Sequence, residues 1–105
     1  MALDVRMEFS NETAFLKMQG ILDISTTHLL EEYIQKIEDV KELIIDFSGL
    51  EFIDSTGIGA IMEIVYRSQE KQFRIKLEGM DKQIYEILET VGLFKVLEMI
   101  QGRAV

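Results

Sequence analysis

Apolar and polar residues alternate with a period of two in three segments of the chain, at residues 5–9, 14–18 and 73–77. This pattern is typical of half-buried strands. Residues 10–12, between the first two segments, are polar and favour a turn, so we expect a hairpin there. Leu43–Phe47 is apolar almost throughout, which predicts a central strand that is covered on both faces.

Apolar residues spaced three and four apart predict three helices. The first follows a polar stretch near residue 25, and the second spans residues 55–69. The third starts at Asp81 and ends at Gly92, because glycine readily adopts the left-handed conformation that stops a helix. The candidates for capping the first helix are Asp23, Ser25 and Thr26.

These segments predict the order β-β-α-β-α-β-α-β. The second strand is expected to end at Gly20, and a loop is expected directly after Phe47. The apolar tail Leu93–Ile100 is expected to be a short turn followed by an edge strand. The sequence therefore predicts a single domain over residues 1–105 with an α/β fold, in which helices pack against a mixed four- to five-stranded sheet.

Composition excludes several classes of function. The chain of 105 residues has no cysteine, which excludes disulfides and thiolate metal sites. Its net charge of −8 argues against a nucleic-acid partner, because binding a phosphate backbone needs clustered lysine and arginine. The start of the chain does not resemble a signal peptide, and no apolar run approaches the ~20 residues of a membrane span, so a cytoplasmic protein without a membrane partner is expected.

The acidity itself has two explanations that composition does not separate. The first is solubility, which a net charge far from zero promotes. The second is attraction of the domain toward a basic surface on a protein partner.

The segment FIDSTGIG at residues 52–59 stands where an apolar strand passes into an apolar helix. Asp54 or Ser55 at this junction would cap the helix by accepting hydrogen bonds from its free N–H groups. Anions are favoured at that end of a helix, so a phosphate on Ser55 would be held locally. It would nevertheless change the surface that a partner meets, which makes the segment a candidate switch.

Three motifs of this chain are similar to those of one family. They are FIDSTGIG at residues 52–59, GILD at 20–23 and VGLF at 91–94. Together they resemble the signatures of STAS domains, and specifically of stand-alone anti-sigma factor antagonists, in the right order over nearly the whole chain. The chain departs from the family pattern at Ile21, where members usually have an acidic residue.

The resemblance implies a cycle of partner switching. Ser55 occupies the position that an anti-sigma factor, itself an ATP-dependent serine kinase, phosphorylates in this family. The unphosphorylated antagonist binds that kinase and frees the sigma factor, and a PP2C-type phosphatase removes the phosphate. Asp23 corresponds to a family aspartate near the serine. The chain would be a substrate and a ligand rather than an enzyme, without metal or cofactor, and a monomer or weak dimer.

The expected partner-binding surface combines these motifs with one residue of the second helix that lies off its apolar face. It consists of Asp23, Asp54, Ser55, Thr56, Gly57, Ile58, Gly59 and Ile64. Each residue also has a simpler explanation. Ser55 or Asp54 could be only a cap, the two glycines could serve helix-on-sheet packing, and Ile64 could be an isolated exposed residue.

Two other classes of function stay open. A STAS domain can be a fixed interaction module of a transporter, a lipid-trafficking complex or a signalling scaffold, and fold alone does not decide between these. An enzyme with Ser55 as nucleophile is disfavoured, since no Gly-x-Ser-x-Gly elbow is present. The only histidine, His28, has no recognisable partners and is expected on the surface of the first helix.

Overall fold

The computed structural model describes residues 2–102, which form four strands and four helices. In chain order these are β1 (Leu3–Ser10), β2 (Thr13–Leu22), α1 (Thr27–Ile34), β3 (Glu42–Ile53), α2 (Ser55–Lys71), β4 (Arg74–Glu78), α3 (Lys82–Thr90) and α4 (Leu93–Gln101). The predicted α/β fold with helices packed on a mixed sheet is confirmed, and the sheet has four strands over the described residues.

The strands lie in the order β1-β2-β3-β4. β1 and β2 form the predicted antiparallel hairpin, with Asn11 in the left-handed conformation of the turn (φ 56°). β2 pairs with β3, and β3 with β4, in parallel. Because β2 and β3 are parallel, the loops that follow them leave the same edge of the sheet. The candidate site lies at this edge.

The core lies between one face of the sheet and the helices. Its central side chains include Leu16, Met18, Leu43, Ile45, Phe47, Ile61, Ile64, Leu88 and Leu97, all essentially inaccessible to solvent. The other face of the sheet is open, since Lys17 and Lys76 on it are exposed. The prediction that Leu43–Phe47 is covered on both faces is therefore wrong: Ile44 and Asp46 point to the open face and are only half-buried.

Two of the predicted strand boundaries are also wrong. β2 continues past Gly20 to Leu22, and β3 continues past Phe47 to Ile53 without a loop. The pairing of β2 with β3 contains two register shifts, one of them between Gly20 and Ile21. Gly20 has φ +103°, and a Cβ there would clash with the carbonyl oxygen of Ala2. Glycine here marks a bulge inside the strand and not its end.

The apolar tail is a helix, so the expected edge strand at Leu93–Ile100 is wrong. Leu93 and Leu97 are both buried in the core, whereas Lys95 between them is exposed. A strand would put all three side chains on one face, so this burial fits helical spacing. The free edge of β4 is instead occupied by one side chain. The Gln101 amide oxygen accepts a hydrogen bond from the Ile75 N–H, and its amide nitrogen donates to the Ile75 carbonyl at 3.4 Å.

Candidate functional site

Asp54 joins the end of β3 to the start of α2. It is the N-cap of α2 in an extended conformation, and its Oδ1 accepts a hydrogen bond from the Gly57 N–H at 2.8 Å. Ser55 is the first helical residue, and its side chain and that of Thr56 are exposed. The prediction of Asp54 as a cap is confirmed. The alternative that Ser55 is the cap is wrong, which leaves its hydroxyl directed to solvent.

The second carboxylate oxygen of Asp54 ties α2 to the loop that follows β2. Asp54 Oδ2 accepts a hydrogen bond from the Ile24 N–H at 3.1 Å, and the Asp54 N–H donates to the Leu22 carbonyl at 3.2 Å. Asp23 precedes Ile24 in the sequence, and Ser55 follows Asp54, so the hydrogen bond between Ile24 and Asp54 brings Asp23 and Ser55 close together. The structure therefore brings the two motifs GILD and FIDSTGIG together, as the resemblance implied.

The loop between β2 and α1 is closed by its own side chains. Asp23 Oδ1 accepts hydrogen bonds from the Ser25 N–H at 2.9 Å and from the Ser25 hydroxyl at 2.7 Å. The Thr26 hydroxyl donates to the Ile21 carbonyl at 2.9 Å and accepts from the Asp23 N–H at 2.9 Å. The hydrogen bond from the Ser25 hydroxyl is the main cause that lowers the pKa of Asp23 below its ordinary value. The loop is thus anionic at neutral pH.

None of the three residues predicted to cap α1 does so through its side chain. Thr26 occupies the N-cap position, but it makes no side-chain hydrogen bond to the helix. Its hydroxyl is used within the loop instead, and so is the carboxylate of Asp23. This competition is common for short polar side chains, which can bond to backbone groups on either side.

Two exposed apolar side chains border this junction, and the sequence-based surface did not include them. Ile24 is 74% exposed, and its own N–H is the group bound by Asp54. Phe52 is 51% exposed and pairs in register with Ile21 on β2. A large apolar residue within a polar turn, as Ile24 is, was the available clue in the sequence. The site is thus an exposed hydroxyl with apolar neighbours and two nearby carboxylates.

The two glycines of the motif have different surroundings. Gly57 is buried against β2, and a Cβ there would lie 2.5 Å from the Leu22 carbonyl oxygen and 2.8 Å from Ile53 Cγ1. Helix-on-sheet packing therefore explains Gly57. Gly59 is exposed, and a Cβ there would have no heavy atom within 4 Å. Packing within the chain does not explain Gly59.

One member of the predicted surface does not belong to it. Ile64 is fully buried in the core, so the prediction of an exposed contact is wrong. Ile58 is half-buried at the margin of α2, and His28 is exposed on α1 as expected. The remaining candidate contacts are Asp23, Asp54, Ser55, Thr56, Ile58 and Gly59.

Three kinds of site are relevant to residues 2–102: a membrane span, a metal site and an anion site. No helix in this range is long and apolar enough to span a bilayer. The same residues contain no group of three or more side chains arranged to hold a metal ion. The first turn of α2 contains no acidic residue, and a helix N-terminus favours an anion, but the Asp54 carboxylate at the N-cap already uses the Gly57 N–H.

Residues 4–104 of the chain match the sequence pattern of the STAS domain family. An anti-sigma-B factor antagonist of Staphylococcus aureus is 21% identical over 107 residues, which cover 98% of this chain and 99% of that protein. A probable sulfate permease of Schizosaccharomyces pombe is 32% identical over 75 residues, covering 71% of this chain. The matched segment is only 11% of the length of the permease.

The fold is also that of a solved structure. The cell fate determinant SpoIIAA of Bacillus, in its phosphorylated form, superposes with a TM-score of 0.71. The superposition covers 86% of this chain and 85% of SpoIIAA, at 21% sequence identity. At that identity the likeness concerns the fold.

Proposed function

The chain belongs to the STAS domain family, and on that premise we propose that it is an anti-sigma factor antagonist controlled by phosphorylation of Ser55. The observation that supports this most directly is the position of Ser55. Its exposed hydroxyl follows Asp54, whose carboxylate joins α2 to the loop after β2. A charge added at Ser55 therefore lies within the candidate surface.

In the unphosphorylated state, this surface binds an anti-sigma factor that is a serine kinase. Ile24 and Phe52 supply exposed apolar area at the junction of β3 and α2, and burying such area drives association. Asp23 and Asp54 supply carboxylates that suit basic groups on the kinase. Binding occupies the kinase and frees the sigma factor.

Phosphorylation ends this binding through charge. A phosphoserine adds about −1.5 to −2 charges at neutral pH. The new charge lies next to Asp54 and near Asp23, in a chain whose net charge is already −8. Desolvating it in an interface that fits a neutral hydroxyl is unfavourable, and like charges add repulsion. A PP2C-type phosphatase restores binding, and the cycle runs in the cytoplasm.

The test is phosphoryl transfer to a single hydroxyl. The chain is incubated with ATP and an anti-sigma factor kinase chosen from the gene's neighbourhood, and the modified residue is located by mass spectrometry. Wild type and the matched control Thr56→Ala should each gain one phosphoryl group, and Ser55→Ala should gain none. Transfer to Thr56, or equal transfer to the Ser55→Ala variant, would contradict the proposal.

A second function is favoured by one observation, the 32% identity to a segment of a sulfate permease. In that case the chain would be a fixed interaction module, and the charge at Ser55 would not control it. The two functions differ in two results, the affinity of the Ser55→Glu variant and phosphoryl transfer. A fixed module binds its partner equally well as wild type and as Ser55→Glu, and it receives no phosphoryl group from a kinase.

A further inference from the structure

The open face of the sheet, opposite the helices, displays an ordered pattern of charge. Its central residues alternate with the core side chains along each strand, and all of them are exposed or half-buried. They are Arg6, Glu8, Phe15, Lys17, Ile44, Asp46, Lys76 and Glu78. Phe15 is 40% exposed at the centre of this face. An aromatic ring surrounded by mixed charges on a free sheet face suits a protein partner.

The strand register arranges these residues in two rows across the sheet. From β1 to β4, the first row is Glu8, Phe15, Ile44 and Lys76. The second row, two residues along, is Arg6, Lys17, Asp46 and Glu78. Each row has opposite charges at its two ends. The centre of the first row is apolar, and the centre of the second row is a lysine beside an aspartate.

We propose that this face binds a second copy of the chain around a two-fold axis parallel to the strands. Such an axis places β1 of one copy over β4 of the other, and β2 over β3. Glu8 then faces Lys76 and Arg6 faces Glu78. At the centre, Phe15 faces Ile44. Aligned packing of two sheets is a common arrangement, at about −30° between strand directions.

The other in-plane two-fold axis, perpendicular to the strands, does not fit. It places the first row of one copy over the second row of the other. The charges at the edges would still be matched, but Phe15 would face Lys17, and Ile44 would face Asp46. Both contacts would bury a charge against an apolar side chain, which is unfavourable. The pattern of residues therefore selects the parallel axis.

The contacts that the face makes within one chain do not oppose this pairing. Lys76 Nζ lies 3.6 Å from Glu78 Oε1, and Arg6 Nε lies 3.2 Å from Asp4 Oδ2. Both pairs are exposed, and exposed pairs contribute little to stability. Their charged groups can thus re-pair across the interface.

The dimer should be weak and sensitive to salt. Four strands at ~4.8 Å spacing and about five shared residues give a face well below the ~800 Å² per partner of a standard interface. Much of its attraction comes from exposed charges, which salt screens.

Since the axis is parallel to the strands, both copies of Ser55 lie at the same end of the dimer. Two linked sites on one side would strengthen binding to any partner that has two matching sites.

A charge-exchange experiment tests the pairing. Sedimentation velocity on the full chain, from about 10 μM to about 1 mM, should detect a wild-type dimer that added salt dissociates. Glu8→Lys and Lys76→Glu should each raise the dimer Kd at least ~10-fold, because each places like charges opposite one another twice. An equimolar mixture of the two variants should dimerise again, since every pair in the mixed dimer has opposite charges.

Matched control variants make the same change of charge at positions away from the open face. Glu89→Lys on α3 and Lys95→Glu on α4 are exposed positions away from the face, and they should leave dimerisation unchanged. Concentration-dependent amide shifts of the wild type, which need no variant to fold, should map to Phe15, Lys17 and Ile44. A chain that is monomeric at ~1 mM, shifts that map to the helices, or a mixture that does not dimerise would each overturn the proposal.

Discussion

Asp54 is the residue on which the geometry of the candidate site depends. Its two oxygens accept hydrogen bonds from the Gly57 N–H in the first turn of α2 and from the Ile24 N–H in the loop after β2. A single carboxylate thus fixes both the start of α2 and the position of the loop that contains Asp23. Ser55 has no such structural task, and its side chain is exposed. Because the Ser55 side chain makes no hydrogen bond within residues 2–102 that stabilises the fold, we expect the fold to persist when Ser55 is phosphorylated.

The two glycines of the motif should respond oppositely to alanine. Gly57→Ala should lower the free energy of unfolding by about 1–3 kcal/mol, because the new Cβ overlaps the Leu22 carbonyl oxygen. Gly59→Ala should raise it by up to ~1 kcal/mol, because alanine favours a helix and no atom obstructs its methyl group. Urea unfolding of both variants measures the difference. Changes of the same sign would contradict this account of Gly57.

Gly59 then gives a test of the surface that does not depend on stability. Packing within the chain leaves this glycine unexplained, and a partner that approaches the helix backbone closely would explain it. We expect Gly59→Ala to fold at least as well as wild type and yet to bind the kinase less tightly. Calorimetric titration measures the affinity. Unchanged affinity would remove Gly59 from the surface.

The acid stability of the loop after β2 should depend on Asp23. The Ser25 hydroxyl lowers the pKa of Asp23 in the folded chain. A lowered pKa means that the carboxylate stabilises the fold above its unfolded pKa of about 3.9, and that this contribution is lost as pH falls through the lower, folded value. Asp23→Asn should therefore melt below wild type at pH 7, with a smaller difference near pH 3. A difference that stays constant across this range would contradict it.

Among the elements, those with local determinants could be predicted from the sequence. Asp54 and Asp81 accept hydrogen bonds from the N–H three residues later, and capping of this kind depends on a short stretch of chain. The hairpin of β1 and β2 is likewise local. The tail at Leu93–Ile100 was not predictable in this way, because a short apolar run fits both a buried helix and a strand.

The error at Ile64 has a specific cause. The buried face of α2 consists of Gly57, Ala60, Ile61, Ile64, Val65 and Ser68. Half of these residues are small or polar. A prediction that counts only large apolar residues therefore puts the centre of the buried face at the wrong position on the helix. Ser68 can be buried because its hydroxyl donates to the Val65 carbonyl. The sequence pattern does not reveal which small residues a neighbouring strand will cover.

The free edge of β4 should depend on Gln101 of α4. Its side chain bonds to both backbone groups of Ile75, in the way that a neighbouring strand would. Gln101→Ala should lower the free energy of unfolding by about 1–3 kcal/mol, because the Ile75 N–H loses its partner in a partly buried place. Faster amide hydrogen exchange at Ile75 would locate the effect. The exposed Gln83→Ala on α3 is the control, and equal effects of the two changes would contradict this role.

In the whole molecule, the parts that stabilise the fold and the candidate recognition surface are separate. The core lies between the helices and one face of the sheet, whereas the candidate site lies at the edge where β2 and β3 end. The helix N-terminus at Ser55 tolerates an anion. Phosphorylation of Ser55 should therefore change backbone chemical shifts only near residues 50–65 and in the loop bonded to Asp54. Shift changes throughout the sheet and α4 would show a change of fold instead.

The affinity of the kinase for Ser55 variants decides whether charge at this position controls recognition. Ser55→Ala, which removes the hydroxyl without adding charge, should bind with an affinity close to that of the unphosphorylated wild type. Ser55→Glu and the phosphorylated chain should bind at least ~10-fold more weakly, a loss of ~1.4 kcal/mol or more. If the glutamate variant binds as tightly as wild type, charge at this position does not control recognition and the account is contradicted.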